Sequence, residues 1–311
     1  MKKYTTISDL TNIPETIQEA IQLKKNPFLH KDLGINKTLI MLFFNASLRT
    51  RLSTEKAAKN LGMDVMILNV TDAWNLEFTE GTVMNLDSSE HVKEAAQVIS
   101  QYADIIALRA FPSLKSKEKD NSEWILNSFL KHATVPVVNM ESATMHPLQA
   151  LADAITIEEL KRKQKPKVVL SWAPHPKALP QAVANSFVEM MQQLDVDLSI
   201  THPKGYELNS EITKKTPVYH DQKAALENAD FVYAKNWSSY ESYGEVLLQD
   251  SNWMLTKDKV KNTKFMHCLP VRRNVVVEDA VLDSENSVVI QQAENRVYSA
   301  QVVLKKILEK L

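Results

Sequence analysis

The 311-residue chain has one cysteine and five glycines, and both scarcities narrow its chemistry. Cys268 alone allows no intrachain disulfide and no cysteine-based zinc cluster. With so few glycines, neither G-x-G-x-x-G nor G-x-x-x-x-G-K-[ST] can be written anywhere, which removes the usual dinucleotide and nucleoside-triphosphate loops. A nicotinamide dehydrogenase is thereby disfavoured, and any phosphate site must be built from side chains and a helix N-terminus. An excess of charge is also missing: 37 basic against 38 acidic residues gives a net charge of -1. No electrostatic case exists for nucleic acid or an anionic membrane as partner. No window approaches the ~20 apolar residues needed to span a bilayer. Met1-Lys2-Lys3-Tyr4 leads into polar sequence without an apolar signal region, so a cytoplasmic location is expected. Internal repeats and low-complexity tracts are absent too.

What is present suits a globular α/β protein, with 44% hydrophobic and 24% charged residues. The length fits two domains of about 150 residues each. Apolar runs alternate with amphipathic stretches, the pattern of βαβ units and parallel sheets. In the first half, strands are expected at 37–44, 64–70, 104–110 and 135–140. Helices are expected at 48–61, stopped by Gly62, and at 91–102 and 122–132. Residues 146–162 read as one continuous helix leading into a charged linker around Pro166. Beyond it, strands are expected at 167–172, 196–201, 218–220, 230–234, 264–267 and 287–291, with helices at 180–194 and 222–228. Residues 294–311 close the chain as an amphipathic helix. The expected architecture is two doubly wound parallel-sheet domains joined by an interdomain helix, with the C-terminal helix returning to the first domain. The boundaries are 1–145, 146–163 (the bridge), 164–293 and 294–311.

Asn45-Ala46-Ser47-Leu48-Arg49-Thr50-Arg51 falls where a strand ends and a helix begins. Free backbone N–H groups and the positive end of the helix dipole make such a place an anion site. Ser47 and Thr50 add hydroxyls, and Arg49 adds a planar fork suited to phosphate. The plainer alternative makes Ser47 an N-cap and the arginines solvated first-turn residues. Two arginines there oppose the dipole, however, and that favours an anion.

Phe43-x-Asn45-x-Ser47-x-Arg49-Thr50-Arg51 resembles the carbamoyl-phosphate motif of the aspartate and ornithine transcarbamylases. Three further motifs follow in that family's order: Arg109 in Leu108-Arg109-Ala110-Phe111, then His146-Pro147-Leu148-Gln149, then His267-Cys268-Leu269-Pro270 with Glu294-Asn295-Arg296. Together they span nearly the whole chain. The resemblance implies that Ser47, the Leu48 backbone, Arg49 and Thr50 hold the phosphate of carbamoyl phosphate. Arg109 and His146 would contact the carbamoyl oxygen, Gln149 the carbamoyl amine, and Arg296 would support the same ligand. Cys268 and the Leu269 carbonyl would orient the attacking amine. Trp74 would reach into a neighbouring subunit's site, implying a homotrimer with shared active sites. Read alone, Trp74 is core filler or a loop anchor, and Cys268 an orienting group or core thiol ahead of a covalent nucleophile. No cofactor and no metal are implied.

The acceptor can be read from charge. Where ornithine transcarbamylases carry Asp-x-x-x-Ser-Met-Gly, this chain has Lys235-Asn236-Trp237-Ser238-Ser239-Tyr240-Glu241. Lysine repels an α-ammonium but suits an α-carboxylate beside an acylated, neutral α-nitrogen. The stretch 267–274 resembles the N-acetylornithine and N-succinylornithine transcarbamylases, in which Arg272 would also meet the α-carboxylate. Glu141 and His175 resemble further acceptor-site residues of that subgroup, though each alone reads as a strand-end and a loop residue. Ser89 stands where acetyl-type enzymes have glutamate and succinyl-type enzymes proline. Losing that carboxylate removes a repulsion against succinate, so N-succinyl-L-ornithine is favoured over N-acetyl-L-ornithine. The alternatives are an ordinary ornithine carbamoyltransferase and a non-catalytic carbamoyl-phosphate-binding protein.

Overall fold

The computed structural model describes residues 1–70 and 75–311. Four strands, β1 (Thr38–Phe43), β2 (Asp64–Asn69), β5 (Ile105–Arg109) and β6 (Val137–Glu141), form one parallel sheet in the order β2-β1-β5-β6. A second parallel sheet has the order β11-β10-β7-β8-β9. Its strands are β7 (Lys167–Trp172), β8 (Asp197–Thr201), β9 (Val218–Tyr219), β10 (Phe231–Lys235) and β11 (Lys264–Met266). The short β3 (Leu76–Glu77) and β4 (Glu90–His91) pair apart from both. Every residue of β5, β6 and β10 is buried, and so is all of β1 and β7 except the first residue of each. Helices cover both faces of such strands, which explains their unbroken apolar runs.

Strand order fixes where ligands can enter. From β1 the chain moves outward to β2, then crosses back to place β5 on the other side of β1. From β7 it moves to β8 and β9, then returns to place β10 beside β7. In open α/β sheets the crevice at such a reversal lies at the carboxyl ends of the strands. Those ends carry Asn45–Thr50, Arg109 and Glu141 in one sheet, and His175, Lys235 and His267 in the other.

The helix Pro147–Leu160 is buried at every position from Pro147 to Ile157. A helix apolar all round belongs in a core, and this one packs against Ile13–Lys25, Ala182–Met191 and Val289–Leu308. The last helix, Val289–Leu308, also packs along Leu48–Asn60, so the chain's end returns to the first sheet. Asn60 Nδ2 donates to Gln301 Oε1 at 2.9 Å, and Ser299 Oγ donates to the Leu148 carbonyl at 2.6 Å. No helix among the described residues is long and apolar enough to cross a membrane.

One expected element is corrected. The strand expected at 287–291 is instead the start of the helix Val289–Leu308, with only Ser287 bridging to Phe265. The short run Val288-Val289-Ile290 fits either period, and the helical face continuing through Val297 and Val302 decides it. The helix Ile13–Lys25 was not expected at all, although Asn12 caps it by accepting from the Glu15 N–H at 3.1 Å. The expected 122–132 helix begins later, at Trp124, behind a separate turn of helix Lys117–Asn121.

Gly62 ends the helix Leu48–Asn60 with a φ of 84°, and a Cβ there would lie 2.1 Å from the Lys31 carbonyl oxygen. Only glycine adopts that conformation without strain and clears that carbonyl. Gly62→Ala should therefore lower unfolding stability by about 1–3 kcal/mol. Urea denaturation checks this, and an unchanged midpoint would contradict it.

Candidate active site

Ser47 caps the helix Leu48–Asn60, its Oγ accepting from the Thr50 N–H at 3.3 Å. No acidic residue occupies that helix's first turn. The positive end of the dipole is therefore uncompensated and lies next to Arg49. Asn45 holds the strand end in place, its Oδ1 accepting from the Phe111 N–H at 2.6 Å.

Two buried arginines converge on Thr50. Its Oγ1 accepts from Arg109 Nη1 at 3.3 Å and from Arg296 Nη2 at 2.7 Å. Arg109 also forms an ion pair with Glu141, whose Oε2 lies 3.4 Å from His146 Nε2. Arg296 donates to Gln149 Oε1 and sits 3.4 Å from the same His146 nitrogen. His146 is fixed from behind, its backbone N–H donating to Ser186 Oγ at 2.7 Å. Thus the helix Leu48–Asn60, β5, β6, the bridging helix and the C-terminal helix each deliver one part of a single cluster.

The second sheet supplies the facing wall. Lys235 closes β10 and is buried. Its positive charge helps depress the pKa of His146, His175 and His267. Arg272 Nε donates to His175 Nε2 at 3.0 Å, and the Nδ1–H of that ring donates to the Lys177 carbonyl at 2.8 Å. His267 accepts the Leu269 N–H on Nδ1 at 2.8 Å, which shapes the turn holding Cys268. Leu269 itself takes a left-handed φ of 55°.

Charge in this crevice is one-sided. Arg49, Arg109, Arg296, Lys235 and Arg272 face one paired carboxylate, Glu141. Burial pushes the pKa of His146 well below its ordinary value, and Arg296, Arg109 and Lys235 push it further the same way. Burial likewise lowers His267, helped by Lys235 and Arg49. Both rings are neutral at pH 7. Burial also lowers Arg49, against the pull of Cys268 and Glu141. Arg109 Nε, Arg296 Nε and His146 Nδ1 are buried and find no partner among the described residues. Unmatched buried polar atoms are uncommon in folded proteins, and three in one cluster mark a place for an anion carrying its own acceptors.

The structure thus brings together Ser47, Leu48, Arg49, Thr50, Arg109, Glu141, His146, Gln149 and Arg296. Opposite them stand His175, Lys235, Cys268, Leu269 and Arg272. Glu141, expected on the acceptor side, is bound to Arg109 of the anion cluster. Ser89 is exposed, and its backbone N–H donates to the Asn75 carbonyl at 2.9 Å. Trp74 lies outside the described residues.

A supporting network was missed in the sequence. Asp153 is fully buried and accepts from Gln149 Nε2 and Gln292 Nε2, each at 2.7 Å. Burial raises its pKa to about 7 against the pull of those two bonds. Gln292 Oε1 in turn accepts from the His267 N–H at 2.9 Å, linking the two walls. Gln149 and Asp153 are four residues apart on one helix, and that spacing was the only signal available.

Comparison with known proteins accords with this geometry. Residues 2–159 match the family model of the aspartate/ornithine carbamoyltransferase carbamoyl-P binding domain. Residues 180–307 match that of the Asp/Orn binding domain. The chain is 50% identical to the N-succinylornithine carbamoyltransferase of Bacteroides fragilis (strain 638R), covering 100% of both. It is 49% identical to the protein of the same name in Bacteroides thetaiotaomicron, again over 100% of both. Among solved structures, it matches a variant of N-acetyl-L-ornithine transcarbamylase, with valine replacing one glutamate, complexed with carbamyl phosphate and N-succinyl-L-norvaline. That match has a TM-score of 0.92 and 34% identity, covering 99% of this chain and 100% of the other. With both halves matched in order and half of all positions identical to a relative over its whole length, the chain belongs to the aspartate/ornithine carbamoyltransferase family.

Proposed function

We propose that the chain transfers the carbamoyl group of carbamoyl phosphate to the δ-amine of an N-acylated ornithine, N-succinyl-L-ornithine before N-acetyl-L-ornithine. The observation that carries the reading is the set of unmatched buried atoms, Arg109 Nε, Arg296 Nε and His146 Nδ1, beside a dipole end with no acidic residue. In this reading residues 1–145 bind carbamoyl phosphate, 146–163 bridge, 164–293 bind the acceptor, and 294–311 return Arg296 to the first site.

The phosphate lies against Ser47, the Leu48 N–H, Arg49 and Thr50. The carbamoyl oxygen faces Arg109 and His146, and the carbamoyl amine faces Gln149. The neutral δ-amine, oriented by Cys268 and the Leu269 carbonyl, attacks the carbamoyl carbon. A tetrahedral oxyanion forms among donors already in place. The carbon–oxygen bond to phosphate then breaks, and the amine proton leaves on phosphate. The products are an N-acylcitrulline and inorganic phosphate, and positioning supplies much of the rate. Arg49→Ala removes a charged fork from phosphate and leaves the fold alone. Its kcat/KM for carbamoyl phosphate should fall roughly 10²–10³-fold, and a folded variant with near-normal turnover would refute the phosphate assignment.

Lys235 and Arg272 hold the acceptor's α-carboxylate. An acylated α-nitrogen is neutral, whereas free ornithine would bring an ammonium against Lys235. The named relatives, and the complex of N-succinyl-L-norvaline with a variant in which valine replaces one glutamate, support an acyl pocket tolerant of a second carboxylate. Ser89 supplies no repelling charge. Citrulline-type product should therefore form from N-succinylornithine and N-acetylornithine but not efficiently from ornithine. The δ-amine has a pKa of ~10.4, so kcat/KM for acceptor should rise about tenfold per pH unit near neutrality. His146, already neutral, adds no loss across that range. Lys235→Asp should sharply weaken use of both acyl acceptors. Equal efficiency with ornithine would instead favour an ordinary ornithine carbamoyltransferase.

The sites are shared within a homotrimer. Supporting this, the segment between β3 and β4 leaves Val83 at 77% and Leu86 at 86% exposure, although both are apolar. A neighbouring subunit would cover them while Trp74, which precedes β3 in the chain, completes the neighbour's site. Trp74→Ala and Arg49→Ala should each be nearly inactive alone, and mixing the two after subunit exchange should restore part of the activity. Full activity from an isolated monomer would exclude shared sites.

A further inference from the structure

The outer edge of the second sheet carries a cluster that carbamoyl transfer does not use. β8 and β9 run parallel, with Ile200 beside Val218 and Thr201 beside Tyr219. The residues that follow, His202 and His220, therefore leave the sheet side by side. Their rings meet edge to face with centroids 5.2 Å apart. The chain then turns, the Tyr206 N–H donating to the Pro203 carbonyl at 3.2 Å, and returns Glu207 to the same place. One ligating atom from each of His202, Glu207 and His220 lies within 4.8 Å of the other two.

Hydrogen bonding determines which atoms of the rings are free. His202 Nδ1 lies 2.8 Å from the Pro203 carbonyl, and His220 Nδ1 lies 3.0 Å from the His202 carbonyl. A carbonyl only accepts, so both Nδ1 atoms carry a proton. In the neutral rings the lone pairs then sit on Nε2. A backbone carbonyl held by one ring nitrogen is how proteins fix the tautomer and direction of a metal-binding imidazole. Glu207 Oε1 accepts from the Gly205 N–H at 3.3 Å, which leaves the second carboxylate oxygen and the two Nε2 lone pairs available to a shared cation.

We propose that His202, Glu207 and His220 form a binding site for a divalent transition metal of the zinc class. Two imidazoles and one carboxylate make a three-ligand set with a fourth position open to solvent. Imidazole nitrogen selects zinc, nickel or copper over magnesium and calcium. With bonds of ~2.0–2.2 Å, tetrahedral ligand atoms sit roughly 3.3–3.5 Å apart. Exposed His220 and Glu207 close on the metal by small side-chain adjustments, while buried His202 is the fixed point. The metal would tie the ends of β8 and β9 to the turn between them. That turn carries Tyr206, whose hydroxyl accepts from the Leu247 and Leu248 N–H groups at 2.7 and 2.9 Å. The Tyr206 carbonyl accepts from Trp237 Nε1 at 2.8 Å. The site thus stiffens the support of the segment following Lys235, whatever the acceptor is.

The full-length protein, freed of metal with a chelator, is titrated with zinc by calorimetry and with cobalt by visible absorption. One zinc per chain should bind and raise Tm, and the cobalt spectrum should lack a thiolate charge-transfer band, placing the metal away from Cys268. His220→Gln and Glu207→Gln alter exposed side chains, and circular dichroism confirms that each folds. Each should weaken zinc binding roughly tenfold or more and reduce the Tm gain. Absence of stoichiometric zinc binding, a thiolate band, or affinity unchanged in the double variant would overturn the site. A proton shared between His220 and Glu207 would then satisfy the cluster.

Discussion

Arg109 and Arg296 both donate to one hydroxyl, that of Thr50, and this contact sets the terms for the rest of the structure. Two guanidinium groups held against one oxygen repel each other, and both are almost wholly buried. Removing one charge from water costs several kcal/mol, and a single ion pair with Glu141 does not offset two. The arrangement persists because each partner is fixed from behind. Glu141 ends a fully buried strand, Gln149 lies on a helix buried all round, and Arg296 sits on the long C-terminal helix packed along that helix. The two sheets and the helical layer act as a frame that holds like charges together until an anion arrives. Binding energy released when that anion neutralises them is available for catalysis because the protein has already met the cost of orientation.

Much of this was legible locally. A strand running into Ser47, with arginines in the first turn and no acid, identifies an anion site from a few consecutive residues. Lys235 was legible because its sign is wrong for the usual acceptor, and the structure finds it buried at a strand end. Pairings distant in the chain were not legible. Gln292 and Asp153 are separated by 139 positions and meet only because the last helix packs back on the bridging helix. The Arg109–Glu141 pair likewise depends on the register of β5 beside β6, which sets the two residues opposite each other. The segment 287–291 failed for another reason: a few β-branched residues carry no period of their own, and the helix that continues beyond them decides their state.

The same frame bears on where the amine proton goes in the proposed reaction. His146 and His267 are neutral, but burial among cations has lowered their proton affinity, so neither is a strong acceptor. Glu141 is engaged by Arg109. Asp153, with its pKa raised to about 7, has enough basicity, but it is bonded to Gln149 and Gln292 behind the ligand surface. Among the described residues, His146, His267, Glu141 and Asp153 are thus each weakened, occupied or bonded elsewhere. The departing phosphate is none of these: it gains negative charge as the carbon–oxygen bond lengthens, and it does so beside the attacking nitrogen. An added base near the cluster would compete with the phosphate for Arg49, Arg109 and Arg296, weakening the binding that positions the reaction. In such a site, omitting the base keeps the cations free for the substrate.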